Sequence, residues 1–234
     1  MADSPSVWER PEPPERRALS PLSRERIVRA AVTLADAEGI EAVSLRKVAA
    51  ALDAGPMRLY RYIDTKDELL ELMIDAVYAE IPAPTGSGWR EVARSFAHGT
   101  RDAALRHEWF ADLLGSRPHI GPAACARGDA ALAALRAAGL GDIDLMMSTI
   151  EVLTVYLTGA VRSEVASRRA ERASGLDDRE WQHSMAPRLL RMLATGDYPV
   201  LAEMVHDGEH RDAAEVFELG LGYLLDGIEN RLKS

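Results

Sequence analysis

The chain has 234 residues, of which 47% are hydrophobic, so it contains enough apolar material for one large or two modest domains. A single cysteine, Cys125, excludes an intramolecular disulfide and favours a reducing compartment. The sequence does not open on a basic segment with an apolar run, and its most apolar stretch, 145–161, is interrupted by Glu151. We therefore expect no secretion signal, no membrane span and a cytoplasmic location.

The formal net charge of −9 is unevenly distributed along the chain. Residues 16–66 contain ten lysines and arginines against six acidic residues, a local charge of +4, so the remainder carries −13. Nucleic-acid binding depends on the local patch rather than on the total charge. A basic segment attached to an acidic body is typical of a nucleic-acid reader joined to a domain with another task.

The first 22 residues differ in composition from everything that follows. They contain five prolines among charged residues, and their apolar residues are few. Such a segment buries too little surface to offset its ordering entropy. We predict a disordered arm over 1–22, in which Arg16 and Arg17 are candidates for a minor-groove contact and a solubilising tail is the favoured alternative.

Helical spacing begins at residue 23. Ser23 is a suitable N-cap, and Gly39 is placed to end the first helix as a left-handed cap. Ser44 caps a short second helix that extends to Leu52. The predicted apolar face of the first helix consists of Ile27, Ala30, Ala31, Leu34 and Ala35.

A turn and two further helices follow. Gly55 marks the turn, and Pro56 fits the first position of a third short helix that extends to Ile63. Thr65 and Glu68 form a capping box for a fourth helix, which extends to residue 80. The first three helices form a predicted helix-turn-helix domain, and the fourth is the helix that links it to a larger helical domain; together they span 23–80.

The rest of the chain also shows helical spacing, and no strand pattern is present. Residues 82–88 are a linker by composition, and 81–234 is predicted to be a second domain. The fold class is therefore all-α. The predicted helices of the second domain span roughly 89–106, 108–115, 122–138, 142–172, 178–194, 198–206 and 212–232.

The second and third helices have the pattern of a helix-turn-helix. Val48, Ala49, Leu52 and Leu59 are expected to pack inward so that the outer positions face the major groove of double-stranded DNA. The Arg58 guanidinium matches the two acceptors of guanine. Other outer positions also carry side chains that suit DNA contacts. Met57 is expected to contact a thymine methyl, and phosphate contacts are expected from Tyr60, Tyr62 and Lys66.

Three segments carry a family resemblance: 27–39 (IVRAAVTLADAEG), 44–52 (SLRKVAAAL) and 59–70 (LYRYIDTKDELL). They resemble the DNA-binding domain of the tetracycline-repressor (TetR) family. Two positions depart from the common pattern: Tyr62 stands where His is frequent, and Pro56-Met57 stands where small polar residues are usual, which leaves the operator sequence open. The resemblance implies phosphate contacts by Ser44, Tyr60, Arg61, Tyr62 and Lys66, and base contacts by Arg46, Met57 and Arg58.

The second domain carries a weaker resemblance. Residues 107–110 (HEWF), 117–122 (RPHIGP) and 217–228 (FELGLGYLLDGI) resemble the C-terminal domain of the tetracycline-repressor subgroup. The resemblance implies a small-molecule effector pocket and a homodimer built from the last long helices. An effector pocket is expected to be apolar with a few polar groups. The candidates are Phe96, Thr100, Trp109, Met146, Thr149, Ile150, Leu153, Trp181 and Met185.

The apolar stripes of 142–172 and 212–232 are wide for helices that cover a single core. We expect each to face its own domain on one side and a partner copy on the other, in a four-helix bundle. Burial within one chain is the alternative. The predicted interface residues are Leu157, Val161, Phe217, Leu221, Leu224 and Ile228.

One motif points towards a different chemistry. His206, Glu209 and His210 match the H-x-x-E-H pattern of some zinc peptidases, but Gly208 interrupts the helix that this chemistry needs. We therefore expect no metal, no cofactor and no catalysis. The sequence favours a ligand-responsive regulator, expected to be a repressor, that binds a palindromic operator as a dimer. A constitutive DNA-binding or interaction module, a helical enzyme and activator action stay open as alternatives.

Overall fold

The computed structural model describes residues 6–13, 22–115, 119–209 and 211–233. Within these ranges the chain forms eleven α-helices and no strand, which confirms the all-α prediction. The helices are α1 (Arg24–Glu38), α2 (Leu45–Ala51), α3 (Pro56–Leu59), α4 (Lys66–Glu80), α5 (Trp89–Arg106), α6 (Glu108–Leu113), α7 (Pro122–Ala137), α8 (Ile143–Ser174), α9 (Asp178–Leu193), α10 (Pro199–Asp207) and α11 (Ala213–Lys233).

The predicted N-caps start the first helices. The Ser23 hydroxyl accepts from the Arg26 N–H at 3.2 Å, and the Ser44 hydroxyl accepts from the Lys47 N–H at 3.2 Å. Each cap satisfies a backbone donor that has no partner inside the helix. Gly39 ends α1 with φ of +83°, the region that favours glycine, although its ψ of 164° is extended rather than helical.

Local geometry differs from the prediction at three places. A 3-10 turn over Ile40–Ala42 precedes α2, and α3 ends at Leu59 rather than Ile63. After Leu59 the chain tightens into three-residue turns, in which the Tyr62 N–H donates to the Leu59 carbonyl at 2.8 Å. The Glu68 carboxylate accepts from the Asp64 N–H at 2.8 Å, one residue before the N–H that a capping box uses.

The chain divides into two compact units, Met1–Val161 and Arg162–Ser234. The boundary falls within α8, whereas the sequence placed it at residues 80 and 81. α4 packs against both α1 and α7, which joins the first four helices to the helices that follow. The Asp75 carboxylate on α4 accepts from the N–H groups of Ala123 and Ala124 at 3.1 and 3.0 Å, and so caps the N-terminus of α7.

Residues 6–13, which we call the N-terminal strap, pack against the first unit rather than forming part of a disordered arm. Val7 is only 2% exposed, and Arg10 forms ion pairs with Asp64 and Glu68. The prediction of disorder over 1–22 is therefore wrong for these residues. The possible minor-groove contact of Arg16 and Arg17 lies outside the described residues.

α8 contains an 18-residue window that is long and apolar enough to cross a membrane by length and composition alone. This test is also met by core helices of globular proteins, so a single such helix is weak evidence for a span. Met146, Leu153, Leu157 and Val161 on α8 are each at most 1% exposed in one chain. These four side chains pack within the chain, whereas only 22% of the apolar window as a whole is buried.

Candidate functional site

α2 and α3 pack against each other through side chains that are fully buried. Val48, Ala49 and Leu59 have no exposed surface, as the sequence predicted, and the small side chain of Ala49 permits a close approach of the two helices. The turn between the helices takes its positive φ at Asp53 (55°), not at Gly55, whose φ is −68°. Asp tolerates this conformation better than most residues.

The three predicted base-contacting residues stand outside this packed interior. Arg46, Met57 and Arg58 are all exposed, and Met57 retains 77% of its accessible surface. An exposed methionine beside arginines, on a helix braced by a second helix, offers apolar and hydrogen-bonding groups to the same surface. This arrangement has the geometry that major-groove recognition requires.

The predicted phosphate-contacting residues are divided between surface and interior. Tyr60, Arg61 and Lys66 are exposed, and Lys66 is the first residue of α4, where its ammonium adds to the positive end of the helix dipole. The Ser44 hydroxyl already caps α2. Tyr62 is only 8% exposed, so its phenol is far less accessible than the sequence led us to expect.

A buried histidine connects the first helices to the following ones. The two ring nitrogens of His107 lie 2.8 Å from Asp36 Oδ1 on α1 and 3.0 Å from Glu80 Oε2 on α4. The Trp109 indole N–H donates to the same Asp36 oxygen at 2.7 Å. Both carboxylates accept from the ring only when both nitrogens carry protons. Sequence reasoning missed this cluster, which holds α1, α4 and α6 together.

The pKa of Glu80 in this cluster is lowered from its ordinary value. Partial burial acts to raise its pKa, but hydrogen bonds and charge attraction from His107 and from Arg106, 3.0 Å away, outweigh that effect and lower it. Glu80 therefore stays ionised and keeps both partners.

Phe96 and Thr100, predicted as effector-pocket residues, instead surround a buried arginine. Arg127 donates to the Phe96 carbonyl at 3.0 Å and to the Thr100 hydroxyl at 2.8 Å, and its guanidinium carbon lies 4.4 Å from the centre of the Phe96 ring. Burial lowers the pKa of Arg127 to about 10. Through these contacts Phe96 and Thr100 stabilise the buried Arg127 guanidinium.

The other predicted pocket residues are divided between the two units. Trp109 is buried beside Phe110, while Met146 and Ile150 pack in a core cluster with Val92 and Leu135. Thr149 and Leu153 on α8 are buried. Trp181 and Met185 belong to the second unit, where they are exposed and line a groove of about 590 Å³.

A cavity of about 610 Å³ in the first unit is lined by aromatic residues that the sequence did not single out as a site. The Tyr78 ring meets Phe110 edge-on at 5.3 Å and stacks on His119 at 6.0 Å, while Trp8 meets His119 edge-on at 6.4 Å. We call this the aromatic cavity. Its lining residues are Ser6, Trp8, Glu71, Ile74, Tyr78, Phe110, Leu113, Leu114, Gly115, His119, Ile120, Gly121 and Thr154.

The lining of the aromatic cavity also includes polar side chains: Ser6, Glu71, Tyr78, His119 and Thr154. Burial raises the pKa of Tyr78, so its phenol stays protonated. Among the described residues, buried His119 Nε2 has no hydrogen-bond partner and lies 3.6 Å from Asp75 Oδ1. Thr154 contributes a hydroxyl that donates to the Ile150 carbonyl at 2.8 Å. Apolar walls with a few polar groups are the usual composition of a small-molecule site.

The predicted dimer residues are more buried than an interface requires. Leu157, Val161, Phe217 and Leu221 are at most 2% exposed in a single chain, which corrects their assignment to the surface between two copies. Leu224 and Ile228 are half-buried. The same two helices expose other apolar side chains: Ile143, Met147, Val152 and Val155 on α8, and Val216, Tyr223 and Leu232 on α11.

Comparison with known proteins accounts for nearly all of this architecture. Residues 27–73 match the family described as bacterial regulatory proteins, tetR family, and residues 81–232 match the tetracyclin repressor-like C-terminal domain. The chain belongs to the TetR family. TetR-family regulators bind DNA and small-molecule effectors and act as dimers.

Several TetR-family relatives cover nearly the whole chain. The transcriptional repressor DrrR1 of Streptomyces coeruleorubidus is 40% identical over 95% of this chain and 83% of that protein. A transcriptional regulator of Saccharopolyspora erythraea is 36% identical over 95% of this chain and 91% of that protein. The structure of ActR from Streptomyces coelicolor in complex with actinorhodin superposes with a TM-score of 0.73 at 27% identity, covering 90% of this chain and 96% of ActR.

The H-x-x-E-H motif is only partly described in this TetR-family protein. His206 lies in α10, which ends at Asp207, and His210 lies outside the described residues. No group of three or more His, Cys, Asp or Glu side chains suited to a metal ion occurs in the ranges that the structure covers. The absence of catalysis at this motif stays a prediction.

Proposed function

We propose that this ligand-responsive TetR-family regulator is a cytoplasmic repressor that binds a palindromic operator as a homodimer and is released when an aromatic molecule occupies the aromatic cavity. The observation that carries the proposal is the exposure of Arg46, Met57 and Arg58 on a helix pair whose inner residues are fully buried. A two-fold dimer presents two such pairs to half-sites about one helical turn apart.

The exposed residues divide into two groups by chemistry. Arg46, Met57 and Arg58 are proposed to read base edges, because a guanidinium matches guanine and a methionine methyl matches thymine. Tyr60, Arg61 and Lys66 are proposed to hold phosphates and fix the register, with Ser44 and Tyr62 as weaker candidates because their side chains are engaged or buried.

The effector is proposed to be a planar aromatic molecule with at least one polar substituent. The rings of Trp8, Tyr78, Phe110 and His119 offer stacking faces and edges. The Tyr78 phenol and the Glu71 carboxylate in the cavity lining are the proposed partners of the polar substituent. ActR, at 27% identity, has been crystallised with actinorhodin and with (S)-DNPA. This similarity supports an effector of related chemistry.

Release requires the effector to favour one state of the protein over another. Tyr78 lies in the last turns of α4, and Lys66 lies at its first residue. A ligand that displaces Tyr78 therefore acts on the helix that also carries a proposed phosphate contact. α4 is the proposed lever between the cavity and the DNA-reading helices.

The exposed apolar faces of α8 and α11 are the proposed dimer surfaces. Val155 and Tyr223 retain 75% and 68% of their accessible surface in the single chain. Large exposed apolar side chains on long helices are typical of surfaces that another chain covers. A second copy packed against either helix face would bury them.

The test is an electrophoretic mobility shift with the DNA upstream of the protein's own gene at moderate salt, with actinorhodin as the effector probe. We expect a sequence-specific shift that actinorhodin weakens. Arg46→Ala is expected to lose the shift, while the matched control Arg211→Ala, in an exposed ion pair of the second unit, keeps it. A folded dimer without a specific shift would overturn the regulator proposal, and a shift that no aromatic ligand alters would favour a constitutive DNA-binding module.

A further inference from the structure

The N-terminal strap has a defined conformation of its own. The N–H groups of Glu9 and Arg10 donate to the Ser6 carbonyl at 3.0 and 3.3 Å, and the Ser6 N–H donates to the Glu9 carboxylate at 2.9 Å. With Val7 buried, this turn presents Trp8 on one side and Arg10 on the other. The two side chains reach different parts of the first unit.

Trp8 reaches the aromatic cavity. Its indole meets the His119 ring edge-on at 6.4 Å and 81°, and His119 in turn stacks on Tyr78 with an interplanar angle of 19°. Trp8 also borders a groove formed by residues of α1 and α4, among them Val28 and Leu72. A molecule stacked inside the cavity therefore meets a wall supplied by the strap.

Arg10 reaches the loop between α3 and α4. Its guanidinium binds Asp64 and also binds Glu68 Oε2 at 2.5 Å, while Glu68 accepts from the Asp64 N–H at 2.8 Å. The Arg10 carbonyl accepts from Arg24 Nη1 at 2.6 Å, and Arg24 Nε donates to the Tyr62 carbonyl at 3.1 Å. The strap thus contacts Asp64 and Glu68 at the end of this loop directly, and Tyr62 in its middle through Arg24 of α1.

We propose that Trp8 is an effector-contacting residue and that the strap carries the state of the cavity directly to the α3–α4 loop through Arg10 and Arg24. The two side chains are two residues apart, so the backbone between them spans about 7 Å at most and transmits a displacement with little slack. The proposal rests on the proposed function and adds a second route beside α4. It predicts that effector and operator binding are coupled through residues that touch no DNA.

The test compares Trp8→Ala, Trp8→Phe, Arg10→Gln and the control Arg211→Gln in the full-length protein. Actinorhodin is the probe, its binding is followed by fluorescence quenching, and operator affinity is followed by anisotropy. Trp8→Ala is expected to weaken actinorhodin binding about tenfold, with Trp8→Phe restoring most of it because an aromatic wall is retained. Arg10→Gln is expected to keep actinorhodin binding within about twofold while reducing its effect on operator affinity about fivefold.

A second measurement needs no effector. Amide hydrogen exchange of residues 60–70 is expected to accelerate in Trp8→Ala and in Arg10→Gln but not in Arg211→Gln, because either change frees the strap from the loop. The double variant is expected to exchange no faster than the faster single variant, because both substitutions break the same link.

The outcomes separate the two proposals. If wild-type protein binds operator but not actinorhodin, the effector class and the Trp8 contact are both overturned. Amide hydrogen exchange of residues 60–70 then still tests the link between the strap and the α3–α4 loop. If actinorhodin releases wild-type protein while Trp8→Ala binds it equally well, the Trp8 contact alone is overturned. Unchanged exchange over 60–70 in both strap variants refutes the link even where release itself is confirmed.

Discussion

Gly121 is the position at which one added methyl group should test how α4 is joined to α7. Gly121 is the N-cap of α7 with a φ of −70°, a conformation that any residue adopts. A Cβ added there would meet the Asp75 carboxylate, with Cγ only 2.5 Å away, and would lie 2.7 Å from His119 Nε2. The methyl and the carboxylate cannot occupy this space together, so Asp75 must leave the end of α7.

The cost follows from the hydrogen bonds that Asp75 makes. Its carboxylate accepts from Ala123 and Ala124, and a net hydrogen bond to a charged group contributes about 1.5–3 kcal/mol. Loss of both, with partial relief from rearrangement, gives an expected destabilisation of about 3 kcal/mol for Gly121→Ala. For a chain of this size that corresponds to a decrease in Tm of about 6–12 °C.

Gly128→Ala, inside α7, is the matched control, because an added Cβ there meets nothing within 4 Å. It is expected to stabilise the protein by about 0.5–1 kcal/mol through helix propensity. Thermal unfolding followed by circular dichroism at 222 nm, at one protein concentration, measures both variants. In an Asp75→Ala background Gly121→Ala is expected to cost less than in the wild-type background, since the clash with the carboxylate is gone and only the 2.7 Å approach to His119 Nε2 remains.

The reasoning is refuted if Gly121→Ala is as stable as Gly128→Ala. It is also refuted if Gly121→Ala destabilises the protein equally with and without the Asp75 carboxylate, since the clash would then act on another group.

Three further predictions concern charged side chains. Arg58→Ala is expected to weaken operator binding by about 1–3 kcal/mol and to relax the base preference. Lys66→Ala should reduce the magnitude of the slope of the log operator-binding constant against log salt concentration by about 1, which anisotropy titrations at several salt concentrations measure. Because folding lowers the pKa of Glu80, its carboxylate stabilises the folded state above its unfolded pKa, and this contribution is lost as the pH falls through the folded pKa. Glu80→Gln should therefore reduce the loss of unfolding free energy at acidic pH, and an unchanged acidic loss in urea unfolding would contradict this. Arg127→Leu is expected to destabilise the protein by about 2–4 kcal/mol in the same unfolding assay, because the Thr100 hydroxyl loses its buried donor and the Phe96 carbonyl keeps only the Thr100 hydroxyl as a side-chain donor. A neutral result would refute the structural role of Arg127.

The sequence by itself determined the helices and the surface of the helix-turn-helix pair. Ser23, Ser44 and Thr65 start helices by binding backbone N–H groups three residues ahead, so each signal acts within one turn and is readable from neighbouring residues. The three-to-four-residue spacing of apolar positions likewise fixes which side of a short helix is buried. For that reason the exposure of Arg46 and Arg58 was predictable.

Only the tertiary structure decided which distant groups meet. His107 bonds to Asp36, which lies 71 positions earlier in the chain, and Arg10 bonds to Glu68, which lies 58 positions later. The burial of Leu157 and Phe217 within one chain was equally hidden, because a wide apolar stripe looks the same whether a partner copy or the chain itself covers it. No local pattern encodes such pairings, because they depend on how the packed helices place side chains in space.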